Sequence, residues 1–338
     1  MILSATPGPY PAIPDNPLIR YTDLPTGSAE QRLIRRYRHA VGQCADNLSA
    51  DLAKLQPPTD TSPFANDKAA AKAVAVHRQR HPRLRLLNLN MQQCAHKIAN
   101  LADHLRALQT LLTLDPPLAY APSSTTRVAV EAAAGVHALL DDAITTDERI
   151  LRAASSLLDS FHHETHAVRQ LPADRWPGVV TKLEDRLTKL VTLAERAGLE
   201  VDRQPNGKPA RIRWAGAPAF RGVPFEKASV LIERVFGEYP ALYQMGSGVA
   251  HSMSWMLDDN ARLAAEGPPA MVYRSDPYAN GAATIAAIAA AEAVIAAFGR
   301  YMGYDPDSAL VAYRRRREAL DRFMNEYGTT RLTTLGHF

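Results

Sequence analysis

The chain has 338 residues, 46% of them hydrophobic and 22% charged, with 24 Pro, 18 Gly and 2 Cys. That apolar fraction supports a buried core and excludes global disorder, while Cys44 and Cys94 alone build neither a disulfide framework nor a cysteine zinc site. A formal net charge of +4, from 39 Lys and Arg against 35 Asp and Glu, is too nearly balanced to identify a polyanion partner by itself.

Residues 1–27 hold six prolines and little periodicity, so they read as an extended arm. Ile2, Leu3, Tyr10, Ile13, Leu18 and Ile19 equip the arm to lie along a surface or reach a second subunit. It lacks a basic start followed by an apolar run, which predicts no secretory signal and a cytoplasmic protein. Ser28 and Gln31 have the capping-box spacing, and the helix they open is expected to run to about Leu55. Leu33, Tyr37, Val41, Cys44, Leu48 and Leu52 form its apolar stripe, opposite Arg32, Arg35, Arg36 and Arg38.

Asp67 is the expected cap of a short Ala-rich helix ending near Pro82. A long helix then covers about Arg83 to Leu114, and further helices cover about Thr126–Asp142, Asp147–Gln170 and Val179–Ala197, with Gly198 as the terminating glycine. Residues 199–214 alternate apolar and polar about Asn206–Gly207, the single hairpin signal of the chain. Helical periodicity resumes over 225–236 and 239–257, and a loop occupies GPPAMVYRSDPYANG. An Ala-rich helix and a last helix over about Ser308–Tyr327 complete the chain. The expected fold is all-α, a multi-helix bundle with one small β-hairpin insertion. Its expected divisions are an arm (1–27), N-terminal helices (28–120) and a helical core (121–330).

Ala282 to Gly299 approaches the length of a membrane span. Glu292 near its centre and the abundance of alanine predict a buried helix and no membrane partner.

Four constellations are candidates for chemistry. His162 and His166 lie four apart on one helix face, where two imidazoles can share a metal, with Glu131, Asp159 and His137 as possible third ligands. Asp141-Asp142 followed by Asp147-Glu148 invites comparison with the aspartate-rich motif of class I terpene synthases. No second metal motif accompanies it, and Asp147 is expected to cap the next helix. Arg127 and Glu131 are spaced i,i+4, and Arg149 and Arg152 stand on the following helix. An antiparallel hairpin would let Glu131 meet these arginines, as a register-holding pair or as an anion-binding patch. Ser247 and His251 share a face in Tyr243-Gln-Met-Gly-Ser-Gly-Val-Ala-His251, and Gly246 and Gly248 signal close approach by another helix or a ligand.

Taken together, Arg127-x-x-x-Glu131, Glu148-Arg149-x-x-Arg152, the Asn206–Gly207 hairpin and Ser247-Gly248-x-x-His251 resemble a group of all-helical actinobacterial proteins similar to HEPN-type and abortive-infection-like domains. The resemblance covers roughly residues 125–325. It implies a homodimeric helical protein associated with RNA or nucleotide, with a role in defence. His251, Ser247 and Glu131 would be its catalytic candidates and Arg127, Arg149 and Arg152 its nucleic-acid or anion-binding group. HEPN ribonucleases carry an Arg with four to six residues between it and the His, and the chain departs from that pattern with Gln244, which has six residues between it and His251. The remaining basic clusters, 32–38, 78–85 and 314–317, would track a phosphate backbone only if the fold gathers them. Alternatives from other classes are a small-molecule enzyme using His162 and His166, with or without metal, and an oligomeric scaffold built on the arm.

Overall fold

The computed structural model describes residues 19–21, 28–74, 81–114, 118–170, 172, 178–203, 209–217, 223–224, 228–237, 242–253, 261–263, 271–273 and 275–335. Within them the chain is an all-α bundle with small β additions. Its helices are α1 (Ser28–Lys54), α2 (Pro63–Ala73), α3 (Pro82–Leu111), α4 (Ala121–Leu140), α5 (Thr146–Val168), α6 (Val179–Arg196), α7 (Ala228–Val235), α8 (Leu242–Ala250), α9 (Pro277–Met302) and α10 (Asp307–Leu335).

Local chemistry accounts for the helix ends. Ser62 caps α2, accepting from Ala65 N–H at 3.1 Å ahead of Pro63 in the first turn. Thr145 caps α5, accepting from Glu148 N–H at 3.2 Å. The expected caps Asp67 and Asp147 are therefore displaced. Asp67 lies inside α2 and is buried, while Asp147 is a first-turn residue that pairs with Arg83 at 3.1 Å. Gly198, at φ +95°, terminates α6 as expected, and Gly303, at φ +83°, terminates α9.

The Ala-rich helix α9 is apolar on nearly every side and sits between α1, α4 and α10. Its alanines let these neighbours approach closely. Glu292, the charge that argues against a bilayer, keeps a side chain 13% exposed, 3.3 Å from Arg317 Nε of α10. Helices α1 and α3 share this core with α4 and α9, so the N-terminal helices complete one bundle with the later ones. A second core joins the N-terminal half of α3 to α5, α6 and a sheet through Leu86, Leu87, Ile150, Leu158, Ala194 and Ile212.

That sheet is the expected hairpin, strands β2 (Leu199–Arg203) and β3 (Pro209–Trp214) with Val201 opposite Ile212, extended by β4 (Val223–Pro224). A second small sheet departs from expectation. Strand β1 (Ile19–Tyr21), the described part of the arm, pairs parallel with β6 (Met271–Tyr273), which pairs antiparallel with β5 (Ala261–Leu263). Each strand is three residues long, too short for an alternating pattern to reveal it. Helix α8 correspondingly stops at Ala250 rather than near Leu257.

Candidate functional site

Three helices fix the frame of a cleft. α3 and α5 run parallel, with Arg83 bonded to Asp147 at one level and Ser156 Oγ donating to Gln93 Oε1 at 2.9 Å further along. α4 runs antiparallel to both. Asn90 Nδ2 donates to Leu139 O at 3.4 Å and Arg152 Nη1 to Ala138 O at 3.0 Å. Between these helices and α7 lies a cleft of about 360 Å³.

Its walls follow from helical spacing. Arg152, Ser155, Ser156 and Asp159 stand at i, i+3, i+4 and i+7 on α5 and form a polar stripe. Ala132, Gly135 and Ala138 on α4 form a floor of small residues that leaves the volume open, and Leu231 of α7 closes one side. At 1.5 Å per residue, Arg152 and Asp159 are about 10 Å apart along the axis. Arg152 is level with Ala138, so Glu131, seven residues earlier on the antiparallel helix, belongs to the Asp159 end. Lys97 lies one turn beyond Gln93 on α3 and belongs to that end too. Its stem crosses α4 at Gly135, where an added Cβ would stand 3.1 Å from Nζ.

Most charges around the cleft are already matched. Arg127 Nε donates to Glu131 Oε1 at 2.7 Å, and Arg152 Nη2 donates to Glu148 Oε1 at 2.6 Å. Among the described residues Asp159 has only a 3.4 Å approach from His163 Nε2. Among the described residues Lys97 forms no ion pair and no hydrogen bond. The side-chain amide nitrogen of Gln93 is buried without an acceptor.

The expected meeting of Glu131 with Arg149 or Arg152 does not occur. Two helical turns separate Glu131 from the level of Arg152, and Arg149 turns away into the protein. Arg149 is 1% exposed; Nε donates to Asp67 Oδ2 at 2.7 Å, Nη1 to Leu139 O at 3.0 Å and Nη2 to Asp141 O at 2.7 Å. Its guanidinium also lies 4.4 Å from the Tyr301 ring centroid, and Tyr301 donates to Asp67 Oδ2 at 3.0 Å. Arg149 thus satisfies the last carbonyls of α4 and ties α2, α4, α5 and α9 together; it is a structural residue. Asp141 closes the α4–α5 turn by accepting from Ala143 N–H at 3.1 Å.

Gly246 makes the close approach its position suggests: a Cβ there would lie 2.8 Å from Arg127 Cβ, so α8 rests on α4 over the Arg127–Glu131 pair. His251 is exposed rather than buried against Ser247, and among the described residues their side chains share no hydrogen bond. The reason is local. Helix α8 ends in a Schellman motif, with Met253 N–H on Gly248 O at 2.8 Å and Ser252 N–H on Val249 O at 3.0 Å. His251 is the C-cap, and Ser252 follows at φ 54°.

On the last turns of α5 the His162 and His166 rings stack with centroids 6.5 Å apart. No three His, Cys, Asp or Glu side chains gather into a metal-holding group among the described residues. The basic clusters separate. α1 and α10 are neighbours, with Arg36 over the Phe323 ring at 3.5 Å and Arg316 donating to Gln43 at 2.9 Å. Arg83 instead serves the second core, donating to Ala197 O at 3.1 Å, and Arg78 and Arg80 lie outside the described residues.

Compared with family models, with curated proteins and with solved structures, the chain matches none. Of the cleft residues, Lys97, Ser155 and Ser156 escape sequence reasoning. The available signal is the 152/155/156/159 polar stripe facing a run of small residues on α4.

Proposed function

We propose that the chain is a nucleotide-associated helical protein of the HEPN-like kind, with its ligand seated between α3, α4, α5 and α7. The observation that supports this reading is the cleft itself. Its volume of about 360 Å³ lies at the lower end for small-molecule sites, apolar below and polar along one wall. Glu131, Arg127 and Arg152 belong to its lining or support. Thermal-shift and calorimetric titration with nucleoside mono-, di- and triphosphates tests it. Saturable stabilisation is expected in the wild type and its loss in Ala228→Trp, which fills the rim without entering the core. The absence of any nucleotide effect rejects it.

One observation favours a second reading, RNA on the surface of α1. Arg32, Arg35 and Arg38 are exposed there and form no ion pair among the described residues. Under this reading RNA affinity falls steeply with salt, and replacing the three arginines reduces the slope by about three phosphate contacts. Homodimerisation belongs to the HEPN-like proposal, and the mass in solution tests it.

A further inference from the structure

Among the described residues, Lys97 is the one cation lining the cleft without an anionic partner. Arg127 and Arg152 are each bound to a glutamate on their own helix at 2.7 and 2.6 Å, whereas Lys97 has no ion pair or hydrogen bond among the described residues. It is held in place all the same. Its stem lies across the bare backbone of Gly135, and an added Cβ would meet Cδ, Cε and Nζ at 3.1–3.2 Å. One turn earlier on the same face of α3, the buried amide nitrogen of Gln93 also lacks an acceptor. Ser156, whose hydroxyl donates to Gln93, and Ser155, 5% exposed, line the facing wall. An unsatisfied buried donor such as the Gln93 amide is scarce in folded proteins, and half-buried Lys97 on the same helix face presents an unpaired ammonium to the open volume, so this end of the cleft calls for an acceptor.

We infer that the Lys97 end of the cleft is an oxyanion subsite. It takes a phosphate or carboxylate of the ligand, which accepts from Lys97 Nζ, while Asp159 receives an N–H or O–H from the same molecule. The inference rests on the cleft being the ligand site, as proposed above. Its chemistry is shared by nucleotides and by small carboxylates, and the two sources are separable by experiment.

The test compares AMP, adenosine, inorganic phosphate and glutamate by calorimetry on the wild type, Lys97→Gln and Lys97→Arg. A charge-assisted contact of this kind predicts an AMP advantage over adenosine of about 10- to 100-fold. That advantage collapses in Lys97→Gln and returns in part in Lys97→Arg, with the urea midpoint held as a check on folding. If glutamate binds in a Lys97-dependent way and AMP does not, the subsite stands and the nucleotide reading falls. Equal affinity of AMP and adenosine in the wild type, or oxyanion binding that ignores Lys97, overturns the inference. So does the failure of all four probes to bind.

Discussion

Replacing Arg149 by Met tests the frame on which the cleft is built. The substitution keeps much of the side-chain volume and removes the charge, so the cost is electrostatic rather than a cavity. It leaves Asp67, with a side chain 6% exposed, without its cation; among the described residues only the hydroxyls of Thr146 and Tyr301 remain as donors. Breaking a buried pair from one side costs about 3–5 kcal/mol. Leu139 O and Asp141 O also lose their donors, worth about 1–3 kcal/mol each where water cannot replace them. Partial relaxation offsets some of this, and we expect a loss of about 4 kcal/mol, a large share of a typical total of about 5–15 kcal/mol. The assay is urea unfolding followed by far-UV circular dichroism at neutral pH. Adding Asp67→Asn to Arg149→Met removes the stranded charge, so the pair should show a coupling energy of about 2 kcal/mol or more. An Arg149→Met cost below about 1 kcal/mol, or simple additivity of the two substitutions, refutes the reasoning.

Burial holds His137 below the ordinary histidine value, with Arg300 and Arg152 acting in the same direction and Asp141 and Asp142 opposing. Because the folded value is the lower one, the unfolded chain takes up the proton first as pH falls through about 6.5, and stability is lost below that point. His137→Gln, which does not titrate, should lose less between neutral pH and about pH 5; equal losses in urea midpoint contradict this. Burial also pushes the Cys44 and Cys94 thiols up to about 12. At pH about 8 the thiolate fraction is on the order of one in ten thousand, so a disulfide reagent should label neither cysteine until urea unfolds the chain. Rapid labelling of the native protein counts against their burial.

Helix existence and the Asn206–Gly207 hairpin were legible because both depend on neighbours within a few residues: apolar side chains at three- and four-residue steps, or a turn that needs positive φ. Gly246 was legible as a close approach for the same reason, since a glycine inside an apolar helix has a local cost. Whether Asp67 caps a helix or lies buried within one was not, because the deciding partner, Arg149, is 82 residues away in the chain. Arg149 and Arg152 look alike in the sequence, yet three residues on α5 turn one into the core and the other toward the cleft. The pairing of β1 with β6 joins segments some 250 residues apart through strands of three residues, and such short strands carry no period.

By itself, then, the order of residues determined the helices, the burial of α9 and the absence of a disulfide framework. Lys97 is one basic residue among 39 until α3, α4 and α5 are set in register. Only that packing leaves its ammonium beside Gly135 with no carboxylate among the described residues to meet, because registers between helices are chosen by long-range side-chain fit and not by local pattern.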